Sequence, residues 1–181
     1  LGFELVLVLV LAIVLVSVIV LALVLGLVLL RLRLLVLRLQ LVLVLVLVLV
    51  LANKQNVTTF TSPHLYDVRH RFWLKNRFIN LNEIKKYTKQ VEQTGLKLTL
   101  FELLTCVYIL AAKEQKNINY HLIEAGLLFK KDSTNLWHEP RAQIVTNINY
   151  QHQDWVKPQT LAEICRQKLD SLSQNTTIYV A

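Results

Sequence analysis

The stretch IEAGLLFKKDSTN, residues 123–135, has the frame of a loop that handles phosphate and metal. An acid, Glu124, leaves a predicted strand, and D-S-T-N closes the turn with Asp132 and Asn135. Where such a loop wants glycines, so that backbone can approach an anion, it carries Leu128 and Phe129. Ser62 and His152 also follow β-rich stretches, and the three residues fall on neighbouring loops if each leaves the carboxyl end of its strand. The ordinary alternatives are a loop-capping serine, a solvated glutamate and a surface histidine. Lys168 shares a helical face with Leu161, Ile164, Cys165 and Leu172, at i+3 from Cys165 and i+4 from Ile164. Burial there lowers the basicity of the amine and favours the neutral form that reacts with carbon dioxide. The alternative is a lysine whose stem lies on apolar surface while its head reaches water.

The elements that must position these groups alternate. NVTTF at 56–60 is β-rich and runs into a loop where Pro63 stops any helix. RFWLKNRFIN predicts a short hairpin turning near Lys75 and Asn76. Asn80 with Glu83, and Thr99 with Glu102, are capping boxes that open two helices. The first carries Leu81, Ile84, Tyr87 and Val91 on one face and ends at Gly95; the second is the apolar LFELLTCVYILAAKEQ. NYHLIEAG and AQIVTNI are predicted strands, LAEICRQKLDSL a helix introduced by Thr160, and TTIYVA a last strand. Strands alternating with helices predict an α/β domain with a mainly parallel sheet. His121 lies inside a strand and is expected to be packed there, and Trp155 is likewise expected to pack.

Residues 52–181 form this domain, and residues 1–51 are of another kind. The first 51 residues are almost all Leu and Val, with Glu4, Arg31, Arg33 and Arg38 their only charges. Residues 5–30 are long enough as a helix to cross a hydrocarbon core of about 30 Å. A dipeptide repeat of this kind nonetheless reads as low-complexity sequence, and a membrane anchor is the alternative. The domain itself has a net charge of +6, compatible with anionic ligands such as nucleotides. It has no dense Lys/Arg block and no stacking-aromatic motif, which argues against nucleic acid as a partner. Cys106 and Cys165 fit no zinc spacing and read as reduced core thiols in a cytoplasmic compartment. The chain contains no Met, and the reading is a fragment.

TSPHL at 61–65, LTLFE at 98–102, EAGLLFKKDSTN at 124–135, TNINYQHQDW at 146–155 and Lys168 occur in that order. In these residues, over roughly 57–181, the chain resembles the folylpolyglutamate synthase/dihydrofolate synthase family within the Mur ligase superfamily. The resemblance implies part of a Mur-ligase-type ATPase domain, with ATP and magnesium as cofactors and a folate-type acid and glutamate as substrates. Such enzymes phosphorylate a folate carboxyl, and the amino group of glutamate attacks the acyl phosphate. It further implies that Ser62, Glu124 and His152 are magnesium positions, and that Lys168 acts as a carbamylated, magnesium-linked acid group. Asp132 and Asn135 match the closing turn, His64 a position that orients its loop, and Asp154 with Trp155 a D-W pair. Glu102 resembles a position near the folate side, although its box with Thr99 already accounts for it.

The departures are also specific. The family carries a GTNGKGS-type loop whose amides and lysine cradle the phosphates, whereas this sequence has no Gly-Lys pair anywhere. The family's G-G-R is Leu128, Phe129 and Lys130, and the Asp before the ligand histidine is Gln151. The E-R-x-R run is His70, Arg71, Phe72 and Trp73, and E-K-A-G is Gln167, Lys168, Leu169 and Asp170. The resemblance ends before the C-terminal domain that helps hold ATP and glutamate in the family. It therefore implies a chain inactive by itself, with a complementing chain as the alternative source of the cradle.

Overall fold

The computed structural model describes residues 20–21, 24–27, 55–64, 66–146 and 148–180. The chain divides into two compact units, Leu1–Val48 and Leu49–Ala181. Of the first unit, residues 20–21 and 24–27 are helical and exposed; apart from these, the span expected over 5–30 and the repeat of 1–51 lie outside the described residues. Among the described residues no helix is long and apolar enough to cross a membrane.

The second unit is built around β1 (Val57–Phe60), whose four residues are all buried. The chain then turns back through β2 (Phe72–Leu74) and β3 (Arg77–Phe78). Lys75 takes the left-handed turn position with φ 64°, in the predicted hairpin. Helix α1 (Leu81–Glu92) and helix α2 (Leu100–Lys113) follow, and both expected capping boxes are closed in both directions. Strand β4 (Tyr120–Ile123) returns parallel to β1, giving a four-stranded sheet in the order β3-β2-β1-β4. Strand β5 (Ala142–Val145), helix α3 (Leu161–Leu169) and strand β6 (Thr177–Val180) form a second, two-stranded parallel sheet.

The core lies where α2 crosses β1 and β2. Leu104, Val107, Tyr108 and Ala111 recur at helical spacing on one face of α2 and are buried. The Phe60 ring stacks on Tyr108 at 5.3 Å and on Phe101 at 5.6 Å. From α1, Tyr87 and Val91 reach the interior, while Leu81 stays exposed in the first turn. Thr58 Oγ1, fully buried, pairs with Tyr108 Oη at 2.8 Å and with His121 Nδ1 at 2.7 Å.

Several expectations need correction. The α/β reading holds in two sheets: β5–β6 is parallel, and the four-stranded sheet is mixed, with β1–β4 parallel and β1–β2 and β2–β3 antiparallel. The tight turn at Lys75 and Asn76 fixes β2–β3 as antiparallel, and the β1–β2 connection over 61–71 is shorter than the roughly a dozen or more residues a parallel crossover needs. His121 is not packed inside its strand but exposed and tethered to Thr58. Helix α3 ends at Leu169 rather than Leu172, because Asp170 and Ser171 compete with helical backbone for hydrogen bonds. Leu161 is 37 % exposed, so burial on α3 begins at Glu163 and Ile164.

Candidate functional site

Strands β1 and β4 are parallel and in register, Phe60 opposite Ile123, so the chain leaves both at the same edge. Glu124 is the first residue past β4, and its N–H donates to the Phe60 carbonyl at 2.9 Å, extending the ladder by one step. Ser62, two residues past β1, donates its backbone N–H to Glu124 Oε2 at 2.7 Å. Burial raises the Glu124 pKa, opposed by the Ser62 N–H and the charge of Arg71. Arg71 arrives because the excursion of residues 62–71 closes on itself, Thr61 N–H donating to the Arg71 carbonyl at 3.0 Å. Burial pulls the guanidinium pKa down, and Glu124 opposes that shift. Arg71 Nε also donates to His64 Nδ1 at 3.1 Å, which ties His64 to the same edge.

The loop beyond Glu124 is shaped by one carboxylate. Asp132 Oδ2 accepts from the N–H groups of Gly126 (3.0 Å) and Leu127 (3.1 Å). Its Oδ1 accepts from Thr134 N–H (2.9 Å) and the Thr134 hydroxyl (2.5 Å). Asn135 closes the turn through its N–H to the Asp132 carbonyl at 3.0 Å. Gly126 is closely packed: a Cβ would lie 2.6 Å from Phe101 Cε1 and 2.8 Å from Asp132 Oδ2, so one of these side chains would have to move. Ser133 meets Thr105 of α2 at 2.8 Å between hydroxyls. The half-buried Leu128 precedes a 3₁₀ turn, Phe129–Lys131, that packs on α3.

His152 occupies a left-handed conformation, φ 58°, just before the 3₁₀ turn Gln153–Trp155. Its pKa is lowered first by burial and then by the charge of Lys168, with contact to the Leu127 backbone acting oppositely. Lys168 is half-buried on α3, and burial lowers its pKa as well. His152 Nδ1 is buried with no hydrogen-bond partner, and so is Asn149 Oδ1 three residues earlier. Asp154 is exposed on the turn, and Trp155 is 71 % exposed rather than packed, since a 3₁₀ turn on the surface carries both.

Two clusters result. Ser62, Glu124, Arg71 and His64 meet at the β1–β4 edge; the His152 ring touches the Leu127 backbone, three residues along the chain from Glu124, and feels the charge of Lys168. Among the described residues no group of three His, Cys, Asp or Glu side chains could hold a metal ion by itself. The available donors are instead a carboxylate, a hydroxyl, an unpartnered imidazole nitrogen and an unpartnered amide oxygen. The carboxylate and the hydroxyl belong to the first cluster and the imidazole and amide atoms to the second, and a hard cation bound at either would complete its shell with water. Sequence reasoning gave no role to Arg71 or Asn149. Arg71 could have been found as the one basic residue surviving in its run; nothing in the sequence distinguishes Asn149.

No family model matches the chain. It is 27 % identical over 133 residues to the dihydrofolate synthase/folylpolyglutamate synthase of Bacillus subtilis, covering 69 % of this chain and 30 % of that protein. It is 34 % identical over 119 residues to a folylpolyglutamate synthase of Arabidopsis thaliana, covering 60 % of this chain and 18 % of that protein. In fold it matches the Yersinia pestis bifunctional folylpolyglutamate synthase/dihydrofolate synthase complexed with AMPPNP and Mn ion. The TM-score is 0.61 at 21 % identity, over 72 % of this chain and 37 % of that one. The chain thus spans about a third or less of the length of these relatives.

Proposed function

From the premise that this chain is homologous to the folylpolyglutamate/dihydrofolate synthases of Mur ligase type over 60 to 69 % of its length, we propose that it carries the metal-holding edge of such an ATP-dependent folate–glutamate ligase. The observation that carries the proposal is the 2.7 Å bond from the Ser62 N–H to Glu124 Oε2, which joins two markers 62 residues apart in sequence.

In this reading Ser62, Glu124 and His152 hold a divalent cation. The bond from Ser62 fixes Glu124 Oε2 and leaves Oε1 for the ion. The lowered pKa of His152 keeps the imidazole neutral near pH 7, and its unpartnered Nδ1 is the nitrogen that would bind. Bound magnesium would neutralise phosphate charge and keep several waters. Lys168, made less basic by burial, attacks the carbon of carbon dioxide with its neutral amine. An N–C bond forms, one proton passes to solvent, and a carbamate anion replaces the repelling ammonium beside His152. Asp132 and Asn135 hold the loop, His64 steadies Arg71 behind Glu124, and Asp154 stands at the exposed rim. The free thiols Cys106 and Cys165 support a reducing, cytoplasmic setting.

ATP, a folate-type acid and glutamate are the ligands of the assembled enzyme, and the chain is catalytically silent by itself. Without a Gly-Lys pair it has no backbone cradle for the phosphates. The test is Mn²⁺ binding by electron paramagnetic resonance, run beside an assay of ATP-dependent glutamate transfer to dihydropteroate and to a reduced folate. Cation binding without transfer is expected, with transfer appearing only when a second chain supplies the cradle. Turnover by the purified chain would overturn the silent assignment, and absence of Mn²⁺ binding would overturn the metal edge.

A further inference from the structure

Asn149 Oδ1 and His152 Nδ1 are buried polar atoms without a hydrogen-bond partner, three residues apart in one loop. An unsatisfied buried polar atom costs about 1–3 kcal/mol, and native structures keep few of them. The amide oxygen only accepts, and the ring nitrogen accepts when the imidazole proton sits on Nε2; in that tautomer both atoms call for a donor or a cation. The loop that carries them is tightly held, since the Gln151 N–H donates to the Asn149 carbonyl at 2.7 Å. His152 then adopts a left-handed backbone that an L residue takes only at a cost. Local strain beside unmet polar atoms marks a segment shaped around something else.

We propose that Asn149 supplies its side-chain oxygen as an additional ligand, direct or through one water, to the divalent cation at His152. The inference rests on the reading of Ser62, Glu124 and His152 as cation ligands, and adds a residue that neither the motifs nor the relatives' names assign. The chemistry favours it. With no group of three His, Cys, Asp or Glu side chains among the described residues, the shell is short of ligands, and a neutral amide oxygen is an ordinary ligand for a hard cation.

The test uses the full chain in bicarbonate buffer, with Mn²⁺ as the probe, and the variants N149A, N149D and H152A. Mn²⁺ affinity is read by electron paramagnetic resonance and stability by thermal melting, in EDTA and with Mn²⁺. N149A should weaken Mn²⁺ binding about tenfold, and N149D, which keeps an oxygen in place, should retain or tighten it. In EDTA, N149A should melt at the wild-type temperature or above it, because an unsatisfied acceptor has been removed. A purely structural asparagine would instead lower the melting temperature and leave the Mn²⁺-induced rise intact, which would overturn the proposal. Equal loss in N149A and N149D would also overturn it, by implicating the amide NH₂. If N149A binds like wild type while H152A does not, Asn149 fails and the metal edge stands. If wild type binds no Mn²⁺, both fail.

Discussion

A carboxyl group whose pKa is raised by burial, as at Glu124, weighs against the folded chain in its ionised form. The sign follows from linkage: the favourable contribution is complete below the unfolded pKa and is lost as pH rises through the higher folded value. Glu124→Gln keeps an oxygen to accept from the Ser62 N–H but carries no charge. It should therefore melt higher than wild type at pH 7 in EDTA, match it near pH 3, and lose Mn²⁺ binding; thermal melts across that range check all three. Lower stability at pH 7 would mean that Arg71 outweighs desolvation. His152 runs the other way. With its folded pKa lowered, its contribution is present above the unfolded value of about 6.5 and is lost as pH falls through the folded value. Acidification from pH 7 to pH 5 should destabilise wild type more than His152→Gln, and should release bound Mn²⁺. Chemical denaturation at the two pH values measures the first effect.

At the scale of elements, the glycine after β4 is the one described glycine where an added Cβ would meet atoms within 3 Å. Gly126→Ala must push Phe101 off Phe60 or break the Asp132 bonds, and should cost about 1–3 kcal/mol by analogy with overpacking. Thr99→Ala removes only an exposed helix cap and should cost about 1 kcal/mol. Urea titrations of the pair give the comparison, and a milder effect for G126A would refute the close packing. The same contrast explains what was legible in the sequence. Caps, hairpin turn and strand starts are written in residues a few positions apart, and Asn80/Glu83, Thr99/Glu102 and Lys75 were readable on that account. The meeting of Ser62 with Glu124 was legible only through motif order. What depends on distant neighbours was not: the mixed pairing, the exposure of Trp155, and the approach of Arg71 to Glu124. Helix α3 is intermediate, since its cap at Thr160 was readable and the burial of Glu163 against Arg166 and Gln167 was not.

For the molecule as a whole, the missing Gly-Lys pair predicts no ATP retention at millimolar nucleotide, which equilibrium dialysis of the full chain tests; micromolar binding would contradict it. Cutting away residues 1–51 should leave residues 57–181 with the same circular dichroism and a cooperative melt, since the core cluster among the described residues runs from Phe60 to Ala112. Loss of cooperativity would contradict that. Asp132 has a wider consequence. Its four side-chain bonds reach Gly126, Leu127 and Thr134, and none reaches the stretch from 128 to 131. The arch is therefore pinned at its feet by one carboxylate, while its crown is held separately, by the 3₁₀ turn Phe129–Lys131 against α3 and by Lys130 Nζ donating to Asp170 Oδ2 at 3.0 Å. Loop and helix are thereby coupled: whatever displaces α3 carries the crown with it, and Asp132 alone does not hold that stretch in place.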